Sequence, residues 1–311
     1  MTAVSTPARP LAGGRPTEQK AQRRHGPSPW LLAPALVLFC TFAVVPLFGA
    51  VALSLTDWDG LGTPAWAGFS TWQQVLTDPV TRISLGITFK VMIGTWLVQL
   101  PVSLLLGVYI ARAGRVRAWL ALLYFIPLLL SSAAVALTFK NLLDPSFGLT
   151  SASSLRFLSV SWLGNPDTVL ATVVFIIAWH FVPLHTLLFQ AGVRQIPGSM
   201  YEAAAIDGAG TLRQFFSITL PQLKYTIVTS STLMLVGGLT YFDLVFVLTA
   251  GGPGYATRLL PLHMYLTGFQ ATEMGKASAI AAVLAAVGLL LSLGLTRLSG
   301  FSRMQSQQEG S

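Results

Sequence analysis

Charge is scarce in this sequence. Asp, Glu, Lys and Arg make up 10% of its 311 residues, against roughly 25% in a soluble domain, so a water-exposed globule is excluded. Cysteine is nearly absent. Cys40 stands alone inside an apolar run, which rules out an intrachain disulfide and leaves it as a small hydrophobe. The histidines, His25, His180, His185 and His263, are too scattered for a metal cluster, and His180 and His185, five apart, fall on different helix faces. A phosphate-cradling loop needs G-x-x-x-x-G-K-[ST]. The nearest approach, Gly275-Lys276, has Gln270 in place of the first glycine and Ala277 in place of the hydroxyl. No G-x-S-x-G elbow or local acid pair points to hydrolysis. No cofactor and no catalysis are expected of this chain.

What abounds is apolar: 53% of residues are hydrophobic and the mean hydropathy is +0.66. Six stretches approach the roughly 20 residues that a hydrocarbon core demands: Trp30 to Leu55, Gly86 to Ala111, Trp119 to Phe139, Thr168 to Gln190, Tyr225 to Thr249, and Ala277 to Thr296. Backbone groups in lipid must bond within their own segment, and strand alternation is missing. The fold class expected is therefore an all-α polytopic membrane protein with six transmembrane helices spread over residues 30–298. Residues 1–29, rich in Pro, Gly and charge, are expected to form a disordered tail, and 299–311 a short one. The first apolar run is too long for a signal peptide and lacks a clear small-x-small cut site, so it reads as a retained helix.

Cations set the orientation. The net charge of +8 does not read as nucleic-acid affinity, because Lys and Arg collect in alternate loops beside the spans. One side carries thirteen: Arg9, Arg15, Lys20, Arg23, Arg24, Arg112, Arg115, Arg117, Arg194, Arg213, Lys224, Arg297 and Arg303. The other carries five, Arg82, Lys140, Arg156, Arg258 and Lys276, with Lys90 near the start of a span. Both termini are thus expected in the cytoplasm.

A polar insert, PGSMYEAAAIDGAGTLRQFFSITLP, runs from Pro197 to Pro221 on that same side. Ser199 with Glu202, and Thr211 with Gln214, fit the capping-box pattern of a helix start. Gly208 and Gly210 between them supply a chain reversal, so the insert reads as helix, turn, helix. Ala203, Ala204 and Ala205 allow close approach by another surface, Met200 and Tyr201 offer apolar contact, and Glu202 offers charge. Composition leaves two roles open: docking of a soluble partner, or an amphipathic hairpin lying in lipid headgroups. Pro221 is expected in the first helical turn of the fifth span, fixing the angle between insert and span.

The run EAAAIDGAGTLRQFFSITLP resembles the EAA loop of binding-protein-dependent ABC importers. FDLVFVLTAGGPGYAT, Phe242 to Thr257, is similar to the F-D...L-T-x-G-G-P...T signature of the carbohydrate-uptake, maltose-type permeases. Trp162 to Pro197 resembles, more loosely, the stretch those permeases place before the loop. The resemblance implies a second homologous permease subunit, a dimeric cytoplasmic ATPase carrying ATP and Mg, and an extracytoplasmic solute-binding protein that delivers a sugar. It also implies that the insert is a coupling helix seated in the ATPase, with Glu202, Ala203, Ala204 and Gly208 as docking residues and Tyr201 and Asp207 beside them. The family's sugar cavity maps to Trp179, His180, Phe181 and Leu184, with Gly237, Gly238 and Tyr241, an aromatic platform with a few hydrogen-bonding groups. At membrane depth Lys90, Gln99, His180 and Asp243 are polar and costly. Asp243 is expected to cap the GGP loop. Ala277, Ala281 and Ala285, with Ser278, Ala282 and Ala286 beside them, form a small-residue face expected to be a packing seam. A glycerol-phosphate importer and a non-transporting membrane scaffold are the competing readings.

Overall fold

The structure, a computed structural model, describes residues 29–111, 114–148 and 160–298. The two tails and the cations Arg112, Arg156 and Arg303 lie outside these residues. The chain divides into two units, 1–46 and 47–311. In the first, a helical turn (Pro29–Leu32), α1 (Ala33–Phe39) and a wide π turn (Cys40–Val44) form a rod whose apolar side chains are mostly exposed. Such a surface is stable in lipid, not in water.

Among the described residues four helices are long and apolar enough to cross a membrane: Ala33–Leu53, which ends with α2 (Val45–Leu53), then α4 (Pro79–Ala111), α7 (Pro166–Arg194) and α14 (Met274–Leu298), apolar over Met274–Arg297. The count reaches six only if two bent pairs each make one span. The stretch expected as the third span is α5 (Arg115–Leu129) and α6 (Ser132–Leu142), bent by 98°, and the fifth is α11 (Lys224–Gly238) and α12 (Asp243–Thr249), bent by 49°. The first break has local causes. Pro127 removes an amide near the end of α5, and Ser131 then caps α6 by accepting the amide of Ala134 at 3.2 Å. Short elements complete the chain: a two-residue ribbon of β1 (Thr56–Asp57) and β2 (Ala65–Trp66), α3 (Ser70–Thr77), α8 (Gly198–Ile206), α9 (Thr211–Gln214), α10 (Leu220–Gln222) and α13 (Leu260–Tyr265).

The main seam of the second unit is α4 against α7. Val91 of α4 meets Val173, Ile176 and Ile177 of α7 in a cluster that also takes Val135 of α6 and Leu244, Val245 and Leu248 of α12. The second limbs of both bent pairs thus pack together on the seam. Gly107 sets how closely the two long helices approach: a Cβ there would stand 2.6 Å from the Cβ of Phe189 and 3.1 Å from the Thr186 carbonyl. The small-residue face of α14 proves to be divided. Ala277 and Ala282 are buried within this chain, Ala277 against Gly268, while Ala285 and Ala286 are exposed.

One polar clamp joins the start of α4 to α13. The carboxylate of Asp78 accepts the amide of Thr81 at 2.7 Å and its hydroxyl at 2.8 Å, and His263 Nε2 lies 3.0 Å from that hydroxyl and 3.5 Å from Asp78. Burial and the nearby Arg258 push the His263 imidazolium toward deprotonation, against the pull of Asp78. Burial alone raises the Asp78 carboxyl, but hydrogen bonds from Thr81 and Val80 and the charge of His263 outweigh it, so the net direction is down. Both groups bind protons less readily when folded, so each contributes stability above its ordinary pKa that is lost as pH falls. Acidifying the purified protein from about pH 7 to about pH 5 is expected to lower its melting temperature by about 2–4 °C, roughly 1 kcal/mol. His263→Gln should flatten that dependence, and an unchanged slope in thermal melts would refute the assignment.

Candidate functional site

The polar insert folds as helix, turn, helix, with the first helix starting two residues and the second one residue before the expected positions. α8 begins at Gly198 with Pro197 before it, so Ser199 already lies inside the first turn and its hydroxyl makes no cap. α9 begins at Thr211 itself, and Gln214 Nε2 donates instead to the Ala209 carbonyl at 2.9 Å. Neither capping box forms. Gly208 has φ +75, a left-handed turn that glycine adopts without strain, and nothing stands near a Cβ at that position. Glu202, Ala203, Ala205, Asp207 and Gly208 are exposed, and Ala204 is half-buried.

Two apolar residues that the sequence reading passed over dominate the tip: Ile206 is 87% exposed and Leu212 is 74% exposed. Their signal was visible, since each is a lone aliphatic flanking the turn in an otherwise small or polar run. Tyr201 goes the other way. It is a strut rather than a contact surface, its hydroxyl lying 3.0 Å from that of the buried Thr219.

The root of the hairpin is stiff. From Thr211 the chain runs through α9, a π turn (Phe215–Thr219) and α10 as one helical stretch, so Pro221 lies inside it and not at the first turn of a span. The widened turn, in which the Leu220 amide reaches the Phe215 carbonyl, accommodates the ring. The joint comes two residues later, at Leu223, between α10 and α11. Leu223 is buried in a cluster with Leu104 of α4 and Phe189 of α7, and it seats against Gly192, where a Cβ would come within 2.8 Å of it.

A second candidate site is a cavity of about 350 Å³ bounded by α7, α11 and the bend before α12. Four of the seven residues expected on a pathway line it: Phe181, Leu184, Gly237 and Tyr241. The rings of Phe181 and Tyr241 stack at 5.4 Å. The other three are not among its lining residues. Trp179 is partly exposed and meets Phe139 edge-on at 5.2 Å; His180 is buried, 3.5 Å from the Ser132 hydroxyl; Gly238 lets α11 cross α4, a Cβ there falling 2.8 Å from Met92 Cγ. Pro183 lies inside α7 and denies the Trp179 carbonyl its usual amide donor.

His185 takes the polar place given to His180. It lines the cavity, with Nδ1 2.9 Å from the Ser230 hydroxyl, and Ser132, Thr240 and Asp243 add further polar edges. Helical spacing held the clue, because position 185 lies one turn beyond Phe181 on the same face. Asp243 opens α12 and does not cap the GGP loop, which Thr249 and Thr257 of the motif close. Their hydroxyls meet at 2.8 Å, and Thr257 also donates to the Gly252 carbonyl at 2.8 Å. Lys90 is exposed on α4 and is not part of the lining. Gln99 is fully buried, with both amide atoms outside good hydrogen-bond geometry.

Comparison with known proteins gives concordant findings. Residues 103–301 match the model of the family described as binding-protein-dependent transport system inner membrane component. The probable ABC transporter permease protein YurN of Bacillus subtilis is 34% identical over 84% of this chain and 92% of its own. The multiple sugar-binding transport system permease protein MsmF of Streptococcus mutans is 32% identical over 91% and 98%. Among solved structures, a chain of a bacterial alginate ABC transporter, crystallised with an alginate pentasaccharide-bound periplasmic protein, superposes with a TM-score of 0.77. It covers 89% of this chain and 94% of that one at 20% identity, a likeness of fold.

Proposed function

Because this chain belongs to the binding-protein-dependent transport system inner membrane components, and is thus a non-catalytic, multi-pass permease subunit of an ABC transporter, we propose that it forms the import pathway for a sugar or oligosaccharide. The names of relatives such as the multiple sugar-binding permease MsmF and the arabinooligosaccharide permease AraP of Bacillus subtilis support that class of cargo. In this reading residues 30–298 make six spans, the bent pairs counting as one each. The tails 1–29 and 299–311 and the insert 197–221 are cytoplasmic. A second homologous permease completes the pathway, an external solute-binding protein delivers the sugar, and a dimeric ATPase holds ATP and Mg.

The observation that carries the proposal is a hairpin with an exposed apolar tip and a buried root. Ile206 and Leu212 face outward, while Leu223 and the Tyr201–Thr219 pair fasten the other end to α4, α7 and α11. A tip of that kind needs a partner, and a stiff root passes the partner's displacement to the spans. ATP shifts the transporter only through its differential affinity for two conformations, and the hairpin is where that difference is felt. A cysteine at position 206 should crosslink to the ATPase in membranes of the assembled transporter; labelling of that cysteine from outside the cell would overturn the orientation.

The cavity of about 350 Å³ is proposed to hold part of the sugar. Stacked aromatic faces suit C–H surfaces, and His185, Ser132, Thr240 and Asp243 suit hydroxyls. Among the described residues no Lys or Arg lines it, which favours a neutral sugar over a phosphate ester. His185→Ala and Tyr241→Ala are each expected to raise the KM for uptake about tenfold, roughly 1.4 kcal/mol. Trp179→Ala should change it by less than about twofold. Equal effects of all three in transport assays would show that the cavity does not select cargo.

A further inference from the structure

A further cavity, of about 600 Å³, belongs neither to the hairpin nor to the sugar site. It lies where α3 turns into α4 and where the segment beyond the GGP loop meets the head of α14. Its polar wall brings Asp78 and Thr81 together with Arg258, His263, Glu273 and Lys276. Lys276 pairs with Glu273 at 2.7 Å, and His263 lies 3.5 Å from Asp78. Arg258 has no acidic neighbour among the described residues within 4.0 Å, and its Nε is buried without a hydrogen bond. Its guanidinium rests 5.2 Å from the Tyr255 ring, which holds the fork in place.

A half-withdrawn guanidinium short of an anion matches a phosphate, whose oxygens fit its planar donors. Carboxylates nearby match a cation on the same molecule. The depth of the cavity narrows the choice further. Pro79 and Met274 are the first residues of two candidate spans, so the cavity sits where hydrocarbon gives way to headgroups. Trp66 and Phe69 before α3 and Phe269 after α13 are exposed on adjoining segments, as aromatic residues are at that level. Val75, Leu266 and Ile280 give it an apolar floor.

We propose that this cavity binds the headgroup of a zwitterionic phospholipid, its phosphate on Arg258 and Lys276, its ammonium toward Asp78, and its acyl chains in the surrounding hydrocarbon. A soluble phosphoethanolamine shares the headgroup chemistry and lacks the chains. The lipid would wedge the α3–α4 turn against α14 and so bias how far these elements separate during transport.

The test uses the assembled transporter purified in detergent, stripped of lipid and titrated in native mass spectrometry with phosphatidylethanolamine, diacylglycerol or phosphoethanolamine. Expected is a retained phosphatidylethanolamine adduct that neither of the other probes matches, reduced about tenfold in the Arg258→Gln, Lys276→Gln double variant and kept in Arg258→Lys. Equal retention of diacylglycerol, or equal retention by the double variant, would overturn the site. Matching affinity for phosphoethanolamine would overturn the lipid as its source. Crosslinking of a cysteine at 258 to the solute-binding protein, with lipid retention unaffected, would reassign the cavity to protein docking. The three-probe comparison on the unaltered complex decides the matter even if a variant fails to assemble.

Discussion

Exchanging Glu202 for lysine, or Ile206 for aspartate, is expected to abolish uptake while the chain still inserts and assembles with its partner permease. Both side chains are exposed, so neither change costs folding energy beyond about 0.5 kcal/mol. What they remove is a contact surface. A charge placed at the centre of a desolvated interface costs several kcal/mol, enough to suppress ATP-driven transport by two or more orders of magnitude. Gly208→Asp should act the same way. Aspartate tolerates the left-handed turn better than most residues and meets no neighbour there, so its effect comes from charge and not from misfolding. Substrate uptake, basal ATPase activity and crosslinking of the hairpin to the ATPase check all three; normal uptake with every variant would remove the hairpin from the mechanism.

A second large effect is expected at Gly107. Replacing it with leucine drives a branched side chain into the α4–α7 seam, where even a Cβ would stand 2.6 Å from Phe189 Cβ and 3.1 Å from the Gln190 amide nitrogen. Neither backbone can yield without separating the two helices that bury Val91, Val173, Ile176 and Ile177. Overpacking of this kind costs about 3 kcal/mol or more, and the folded chain should be largely lost from the membrane fraction. Gly86 on the same helix is the control, being exposed with no neighbour within 4 Å. Gly86→Ala should be neutral or stabilise by up to about 1 kcal/mol. Thermal melts and membrane yield of the two variants separate seam packing from helix propensity, and a stable Gly107→Leu protein would contradict the seam.

The apolar runs placed the helical stretch Ala33–Leu53, α7 and α14 within a few residues and found the end of α4, whose start at Pro79 precedes the expected Gly86 by two turns, because a membrane demands length and hydropathy and both are local properties. The same reasoning drew straight spans through 119–139 and 225–249, where the chain bends by 98° and 49°. Hydropathy averages over a window and does not register one missing amide at Pro127 or a serine cap at Ser131. The hairpin showed itself through Gly208 and the polar break, yet its caps failed, since Pro197 and Gly210 start the helices earlier than the hydroxyls do.

The motifs' resemblance to binding-protein-dependent importers implied a permease; composition and local pattern alone determined that the chain is a helical membrane protein with a two-helix insert. Those conclusions rest on what each residue prefers within its own few turns. Only the tertiary structure decided that Tyr201 faces inward, that His185 and not His180 lines the cavity, and that Leu223 rather than Pro221 is the joint. Each of those depends on which distant helix lies alongside, and a side chain's role is set by the neighbour it meets across the seam.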